Sequence, residues 1–379
     1  MENTFHYQKL LAHMRANTSI ITHRGLEMTI KPVPDAEHAG DLDPRVMEVT
    51  LEQIKKFASF PKLEAGEGGA SEFPIKQVRE LMGWPNLDIV TSRIDISNKV
   101  IEGRNGSIPI RIYSPEGGDS KPVIVFFHGG GFIGGTIEAV ENPCKFLAEQ
   151  AGAIVVNVDY RLAPEHPFPA GLHDCFDAVS WVHGHASEIG GHAGQIAVAG
   201  DSAGGNMSAV CALMDRDLGT GMIKYQALVY PTVNMAGMET EDFKWGIGEY
   251  EVNRNHELVR GVILALNGGK EARDSGEESG GLHSLYLQGN ERMTAPYVSP
   301  LLTDLQGLPP TLLIEAEYDY LRLEGEAYAR KLIRSGVPAR MIRYNGMDHA
   351  FMDKIGLYPQ AEDCMKEIAL GVRDIFNLH

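Results

Sequence analysis

From residue 122 onward the chain alternates short apolar runs with longer amphipathic stretches, and nothing else in the sequence restricts its fold as much. The runs 123–127, 153–158, 195–199, 226–230, 311–316 and 339–344 are continuous and rich in β-branched residues, as expected of strands covered on both faces. Between them, 139–151, 173–185, 203–218, 324–335 and 360–376 carry helical periodicity. Strict alternation predicts an α/β fold, a mostly parallel sheet joined by right-handed crossovers and flanked by helices. In such a sheet, ligands bind outside the C-terminal ends of the strands. That is where chemistry-bearing residues are to be sought.

Two regions depart from the rhythm. Residues 1–90 have no comparable runs. There, 46–60 has helical spacing with Val46, Val49, Ile54 and Phe57 facing inward, and Asp43 with Pro44 is a start signal. A glycine-rich break at 66–69 leads to a second short helix at 75–82, so this region reads as a helical appendage. Strand-like segments 93–102 and 107–114 flank Asn105 and Gly106, a two-residue hairpin signal. The second departure is the interval of about eighty residues between Tyr230 and Thr311, where a crossover needs a dozen or more. Within it 257–266 and 243–250 look helical, and 268–281 is a polar, glycine-rich loop. An insertion here sits over the ligand-binding rim of the sheet. The chain contains no internal repeat.

Charge narrows the partners. With 51 acidic against 34 basic side chains the formal charge is −17, which argues against nucleic acid and anionic membrane surfaces, since phosphate-rich partners are bound chiefly through lysine and arginine. A small neutral or apolar ligand suits the balance better. Cys144, Cys175, Cys211 and Cys364 are widely spaced inside apolar or helical patterns and read as buried free thiols. The first 25 residues lack a signal-peptide core, and no run reaches the ~18 apolar residues of a spanning helix. These features predict a cytoplasmic protein. His183, His185 and His192 have neither a cysteine nor a carboxylate partner in their pattern and read as a solvated cluster, so no metal is expected.

At the end of the run 195–199 stands Gly200-Asp201-Ser202-Ala203-Gly204, followed directly by a helical pattern. Gly-x-Ser-x-Gly between strand and helix is the pattern of a nucleophile elbow, a strained turn that lifts a serine hydroxyl above the sheet. A serine hydroxyl needs a base, most often a histidine oriented by a carboxylate. His349 follows the last predicted strand, whereas His256 and His283 lie in the insertion and His379 is terminal. Asp319 follows the strand ending at Ala316, with Glu317 as the next choice and Glu315 and Asp348 nearby. Serine, acid, histidine is the chain order of α/β-hydrolases, and not the histidine-first order of trypsin-like proteases.

His128-Gly129-Gly130-Gly131 directly follows the strand 123–127. Consecutive glycines let backbone N–H groups crowd a developing oxyanion, and the residue after the nucleophile adds another. Gly129, Gly130 and Ala203 are therefore the predicted donors, with His128 anchoring the loop. No Lys-Ser or Lys-Thr follows, which argues against a phosphate-cradling Walker loop.

Together, the histidine-triglycine loop, the segment 159–170 (DYRLAPEHPFPA), the elbow 200–205, Ser299 to Leu301, and the contexts of Asp319 and His349 resemble the hormone-sensitive-lipase-like group of bacterial esterases. The resemblance runs from about Lys121 to the C-terminus. It implies an α/β-hydrolase core and hydrolysis of short acyl esters without a cofactor. It also implies a cap, built from N-terminal helices at 1–90 and an insertion at about 234–297, over a catalytic domain at 91–379. One departure is that Leu323, and not an acidic residue, precedes Glu324 and Gly325. The expected activity is that of a carboxylesterase with a Ser202-His349-Asp319 triad and acyl groups of about two to six carbons, because no long apolar lid is evident. Methionines between Met207 and Met238, with Phe132, Phe243, Trp245 and Tyr250, are candidates for the pocket wall. An amidase or peptidase on the same scaffold, or a non-catalytic small-molecule receptor, are the alternatives. The last strand, 339–344, if left at the sheet edge, offers a route to a homodimer.

Overall fold

The structure is a computed structural model that describes residues 2–36, 39–58, 75–80, 82–118, 120–267 and 282–378. The expected break at 66–69 and loop at 268–281 lie outside the described residues. In chain order the strands are β1 (Ser19–His23), β2 (Leu26–Lys31), β3 (Ile94–Gly103), β4 (Gly106–Pro115), β5 (Lys121–Phe127), β6 (Ile154–Val158), β7 (Gly191–Asp201), β8 (Ile223–Val229), β9 (Thr311–Ala316) and β10 (Ala339–Tyr344). They form one sheet in the order β1-β2-β10-β9-β8-β7-β5-β6-β4-β3. Pairing is parallel from β2 through β6 and antiparallel at the two ends, in β1/β2, β4/β6 and β3/β4.

Burial explains the continuous apolar runs. Every residue of β6 and β9 is buried, as is all of β5 after Lys121, because helices cover both faces of the central strands. The helices are α1 (Glu2–Ala16), α2 (Pro44–Ala58), α3 (Ile75–Glu80), α4 (Glu141–Ala151), α5 (Ala170–His185), α6 (Ala203–Leu218), α7 (His256–Leu264), α8 (Leu282–Leu287), α9 (Arg322–Arg334) and α10 (Pro359–Ile375). α10 packs on α4 and α1, while α5 and α6 pack on each other and on β5 and β7. The four cysteines are buried and unpaired. Asp43 starts α2 as the sequence suggested, its carboxylate accepting the Arg45 N–H at 2.9 Å.

Several expectations need correction. Residues 1–90 are not wholly helical, because β1 and β2 form a hairpin that joins the main sheet. Its loop, Arg24-Gly25, has positive φ at both positions (49° and 75°), the geometry of a type I′ turn. In β2 the side chains of Leu26, Met28 and Ile30 are buried while Glu27 is exposed, a period of two hidden among polar neighbours. Consequently β10 is not a sheet edge. Residues Thr29 to Lys31 of β2 already pair with Ile342 to Tyr344, so its hydrogen-bonding groups are used within the chain and the dimer route through the last strand is closed. The β3/β4 hairpin closes one residue earlier than expected, with Gly103 opposite Gly106 and Arg104-Asn105 as the loop. In the insertion, 243–250 supplies only one 3₁₀ turn, Ile247–Glu249.

Candidate active site

β7 runs directly into α6, and the connection is a single residue. Ser202 has φ 54° and ψ −114°, a conformation that costs about 1–3 kcal/mol for a residue with a β-carbon. The surroundings hold it there. The Ser202 N–H donates to the Val229 carbonyl at 2.9 Å, and the Ser202 carbonyl accepts the Asn206 N–H at 3.0 Å. Close approach of β5 dictates the glycine at 204, where a β-carbon would collide with the Phe127 carbonyl. The elbow is thus fixed by backbone on three sides.

The loops after β9 and β10 bring the other two groups to the same rim. His349 Nε2 lies 3.0 Å from Ser202 Oγ, and His349 Nδ1 lies 2.6 Å from Asp319 Oδ2. The arrangement fits a neutral imidazole whose Nδ1–H donates to Asp319 and whose Nε2 accepts the serine hydroxyl. Asp319 is fixed in turn: its Oδ1 accepts the Leu321 N–H at 2.9 Å and its carbonyl accepts the Tyr250 hydroxyl at 2.8 Å. Glu317 is directed elsewhere, its Oε2 accepting the Gly346 N–H at 2.8 Å. Burial by itself disfavours the charged imidazole of His349, but the Asp319 carboxylate beside it, with Asp201 and Asp348, outweighs this and raises its pKa.

The glycine loop follows β5. Here one expected donor is corrected: the Gly129 N–H is not available to an oxyanion because it donates to Asp201 Oδ1 at 2.8 Å. The N–H groups of Gly130 and Gly131 have no acceptor among the described residues. That of Ala203, first in α6, has none within its helix. The N–H groups left to face an oxyanion are therefore those of Gly130, Gly131 and Ala203, with Gly129 as the pinned base of the loop. Gly130 and Gly131 have φ of 129° and 60°, and a β-carbon at Gly130 would strike the Gly134 carbonyl. His128 anchors the loop: its ring stacks on Tyr160 at 4.5 Å, its carbonyl accepts the Tyr160 hydroxyl at 2.7 Å, and its Nδ1–H donates to the Gly129 carbonyl at 2.8 Å. Burial lowers the His128 pKa to about 4, so the ring is neutral. Under the loop, burial and then the charge of Asp353 push the Asp201 carboxyl well up, and burial lifts Asp353 to about 6.

A cavity of about 610 Å³ opens above Ser202. Its floor contains Ser202, His349 and the glycine loop, and its roof comes from α2, the segment after α3, and α7. Phe132 lines it as expected, but Phe243, Trp245 and Tyr250 do not. Met207 and Met235 are buried in the core. Trp84 and Met82 contribute instead, and no local signal in the N-terminal sequence marks them.

A family model described as the alpha/beta hydrolase fold matches residues 124–353, more than half of the chain. The chain belongs to that family. Within it the hydrolase is of the hormone-sensitive-lipase-like kind. It is 34% identical over 324 residues to carboxylesterase NlhH of Mycobacterium tuberculosis, 85% of this chain and 92% of that protein. It is 37% identical over 246 residues to an arylesterase of Saccharolobus solfataricus, 65% of this chain and 73% of that one. Among solved structures, the hyperthermophilic esterase from Pyrobaculum calidifontis superposes with a TM-score of 0.69 at 34% identity, covering 89% of this chain and 99% of that chain.

In this hydrolase the departure at Leu323 leaves the acid loop anchored, because Glu324 Oε1 accepts the N–H groups of Val233 and Asn234 at 2.7 and 3.1 Å. Two supporting residues escaped the sequence reading. Asp201, taken only as part of the elbow, pins Gly129. Arg79 of α3 donates to the carbonyls of Ile133 (2.5 Å) and Ala163 (2.9 Å) and pairs with Glu165 at 2.6 Å, tying the N-terminal segment to the glycine loop. No spacing rule connects residues so far apart in the chain.

Proposed function

We propose that this ester hydrolase works through Ser202, His349 and Asp319 and a covalent acyl-enzyme, on esters of short acyl groups. The observation that carries the reading is the continuous hydrogen-bonded line from Asp319 Oδ2 through His349 to Ser202 Oγ, at 2.6 and 3.0 Å, facing a cavity beside unengaged N–H groups. His349 Nε2 takes the Ser202 proton as Oγ bonds to the ester carbonyl carbon. The oxyanion is held by the N–H groups of Gly130, Gly131 and Ala203. As the carbonyl re-forms, the C–O bond to the alcohol breaks and His349 gives its proton to the departing oxygen. Water, deprotonated by the same histidine, then attacks the acyl-enzyme, and the proton returns to Ser202 Oγ. Asp319 keeps the imidazole in the required tautomer throughout.

The cap in this reading consists of the α2–α3 segment and the insertion at about 234–297, and the β1–β2 hairpin belongs to the catalytic sheet. Four buried, unpaired cysteines suit a reducing compartment, so we assign the protein to the cytoplasm. Among the described residues no helix is long and apolar enough to cross a membrane. A nitrophenyl ester series tests the activity: turnover is expected to fall from butanoyl to dodecanoyl, and faster turnover of dodecanoyl would refute the short-acyl assignment. A fluorophosphonate probe should label Ser202. Labelling elsewhere, with hydrolysis intact, would refute the triad.

A further inference from the structure

Short esters use little of this cavity. A volume of about 610 Å³ falls within the ~300–1,000 Å³ of pockets that enclose drug-sized ligands, so one half of the ester has room to be large. Which half follows from the rim. The sheet order places the loops after β9 and β10, with Asp319 and His349, on one side of Ser202, and the glycine loop after β5 on the other. The leaving oxygen must receive its proton from His349, so the alcohol lies on the β9–β10 side. α7 stands over that side, because Leu264 packs with Tyr320 and Leu321, immediately after Asp319.

The face that α7 turns to the cavity is Glu257, Leu258, Gly261 and Val262, at the three- and four-residue spacing of one helix face, and Ala265 and Leu266 of the 3₁₀ turn after it continue the wall. Val259 and Ile263 turn away into the core. Gly261 stands out on this face. Glycine is disfavoured in a helix interior, and here φ is not positive, so the backbone gives no reason for it. A β-carbon at Gly261 would meet nothing within 4 Å. Gly261 is exposed, so the missing side chain keeps the mouth of the cavity open on this side.

We propose that Gly261 sets the size of the alcohol half of the substrate, and that this half is a bulky apolar group, aromatic or branched. The proposal rests on Ser202 and His349 acting as described above. Replacing Gly261 by Ala and then by Leu improves helix propensity, so both variants should fold.

The test compares kcat/KM for 1-naphthyl acetate, ethyl acetate and ethyl hexanoate in the wild type, Gly261→Ala, Gly261→Leu and Arg260→Leu, the last altering an exposed position outside the cavity wall. In Gly261→Leu the naphthyl-to-ethyl acetate ratio is expected to fall about tenfold or more, with Gly261→Ala between it and the wild type. The hexanoate-to-acetate ratio should hold, and Arg260→Leu should keep both. An unchanged naphthyl ratio would overturn the assignment, and a fall in the hexanoate ratio instead would show that Gly261 bounds the acyl half. Ester turnover that persists in Ser202→Ala would overturn the triad reading beneath it, which separates the two failures.

Discussion

The floor and the roof of the cavity are built on different terms. On the floor, each group is held by several short contacts to regular elements: Ser202 between β7 and α6, Asp319 by Leu321 and Tyr250, Gly129 by Asp201. The roof consists of helices from two segments far apart in the chain, anchored to the body by buried side chains such as Val46, Val259 and Ile263 and by ion pairs such as Arg79–Glu165, Arg24–Glu249 and Arg254–Asp41. Apolar side chains remain exposed at its mouth, with Ile54 51% and Leu266 41% accessible. Catalytic geometry must be rigid to act, because its donors are useful only if already in place. A roof that supplies none of the reacting groups can change which ester enters without disturbing the reaction below. Substitutions on the floor should therefore strike kcat, and those on the roof should strike selectivity.

The largest effect tests the floor. Ser202→Ala should lower kcat for a nitrophenyl ester by roughly 10⁴-fold or more, leaving only binding and oxyanion stabilisation. Its melting temperature should not drop, since the hydroxyl makes no structural bond beyond that to His349. A loss of stability of the size of the lost activity would mean that this serine is structural. Gly204→Ala should strike stability as well. Its β-carbon is driven into the Phe127 carbonyl, so stability is expected to fall by about 1–3 kcal/mol or more, measured by urea denaturation, with activity lost alongside.

How legible each part was follows the same division. The central strands and the grouping of Ser202, Asp319 and His349 at one rim could be read because burial on both faces leaves continuous apolar runs, and because the loops after those runs hold few candidate side chains. Ser202 stands out by its Gly-x-Ser-x-Gly frame, and Asp319 and His349 by following strand ends in the serine, acid, histidine order. The error at Gly129 is of another kind. A glycine triplet tells which backbone can approach an oxyanion but not which N–H is already taken, and the acceptor, Asp201, comes from a different strand. The β1–β2 hairpin was missed because its three buried apolar side chains, Leu26, Met28 and Ile30, are too few to stand out from a polar stretch, and Arg24-Gly25 lacks the usual asparagine or aspartate. Trp84 and Gly261 were invisible for a simpler reason: only the folded roof puts them over Ser202.

Arg79 is where roof and floor meet, and it gives an intermediate effect. Its guanidinium holds the carbonyl of Ile133, whose N–H in turn donates to the Gly130 carbonyl at 3.1 Å. Arg79→Ala should loosen the oxyanion loop, lowering kcat about tenfold with a smaller change in KM, which steady-state kinetics on one short ester would resolve. Arg79→Lys, which keeps the charge but not the fork of donors, should recover only part. A change confined to KM would make the clamp part of the roof alone.

The smallest expected effect is in the pH profile, and it tests how far the floor is electrostatically one unit. His349 must be neutral to take the Ser202 proton, so kcat/KM should rise with pH through the imidazole pKa. Burial lowers that pKa, but Asp319 first, then Asp201 and Asp348, favour the charged form and raise it above the usual ~6.5. The acid limb should accordingly have its midpoint above that value. Asp348 does not touch His349 within hydrogen-bond distance and acts on it through charge. Asp348→Asn should therefore move the midpoint down while leaving the plateau rate nearly unchanged, because the neutral histidine, once formed, has the same partners. If the midpoint stays fixed while the plateau collapses, Asp348 shapes the loop and not the field, and the floor is held together by contacts alone.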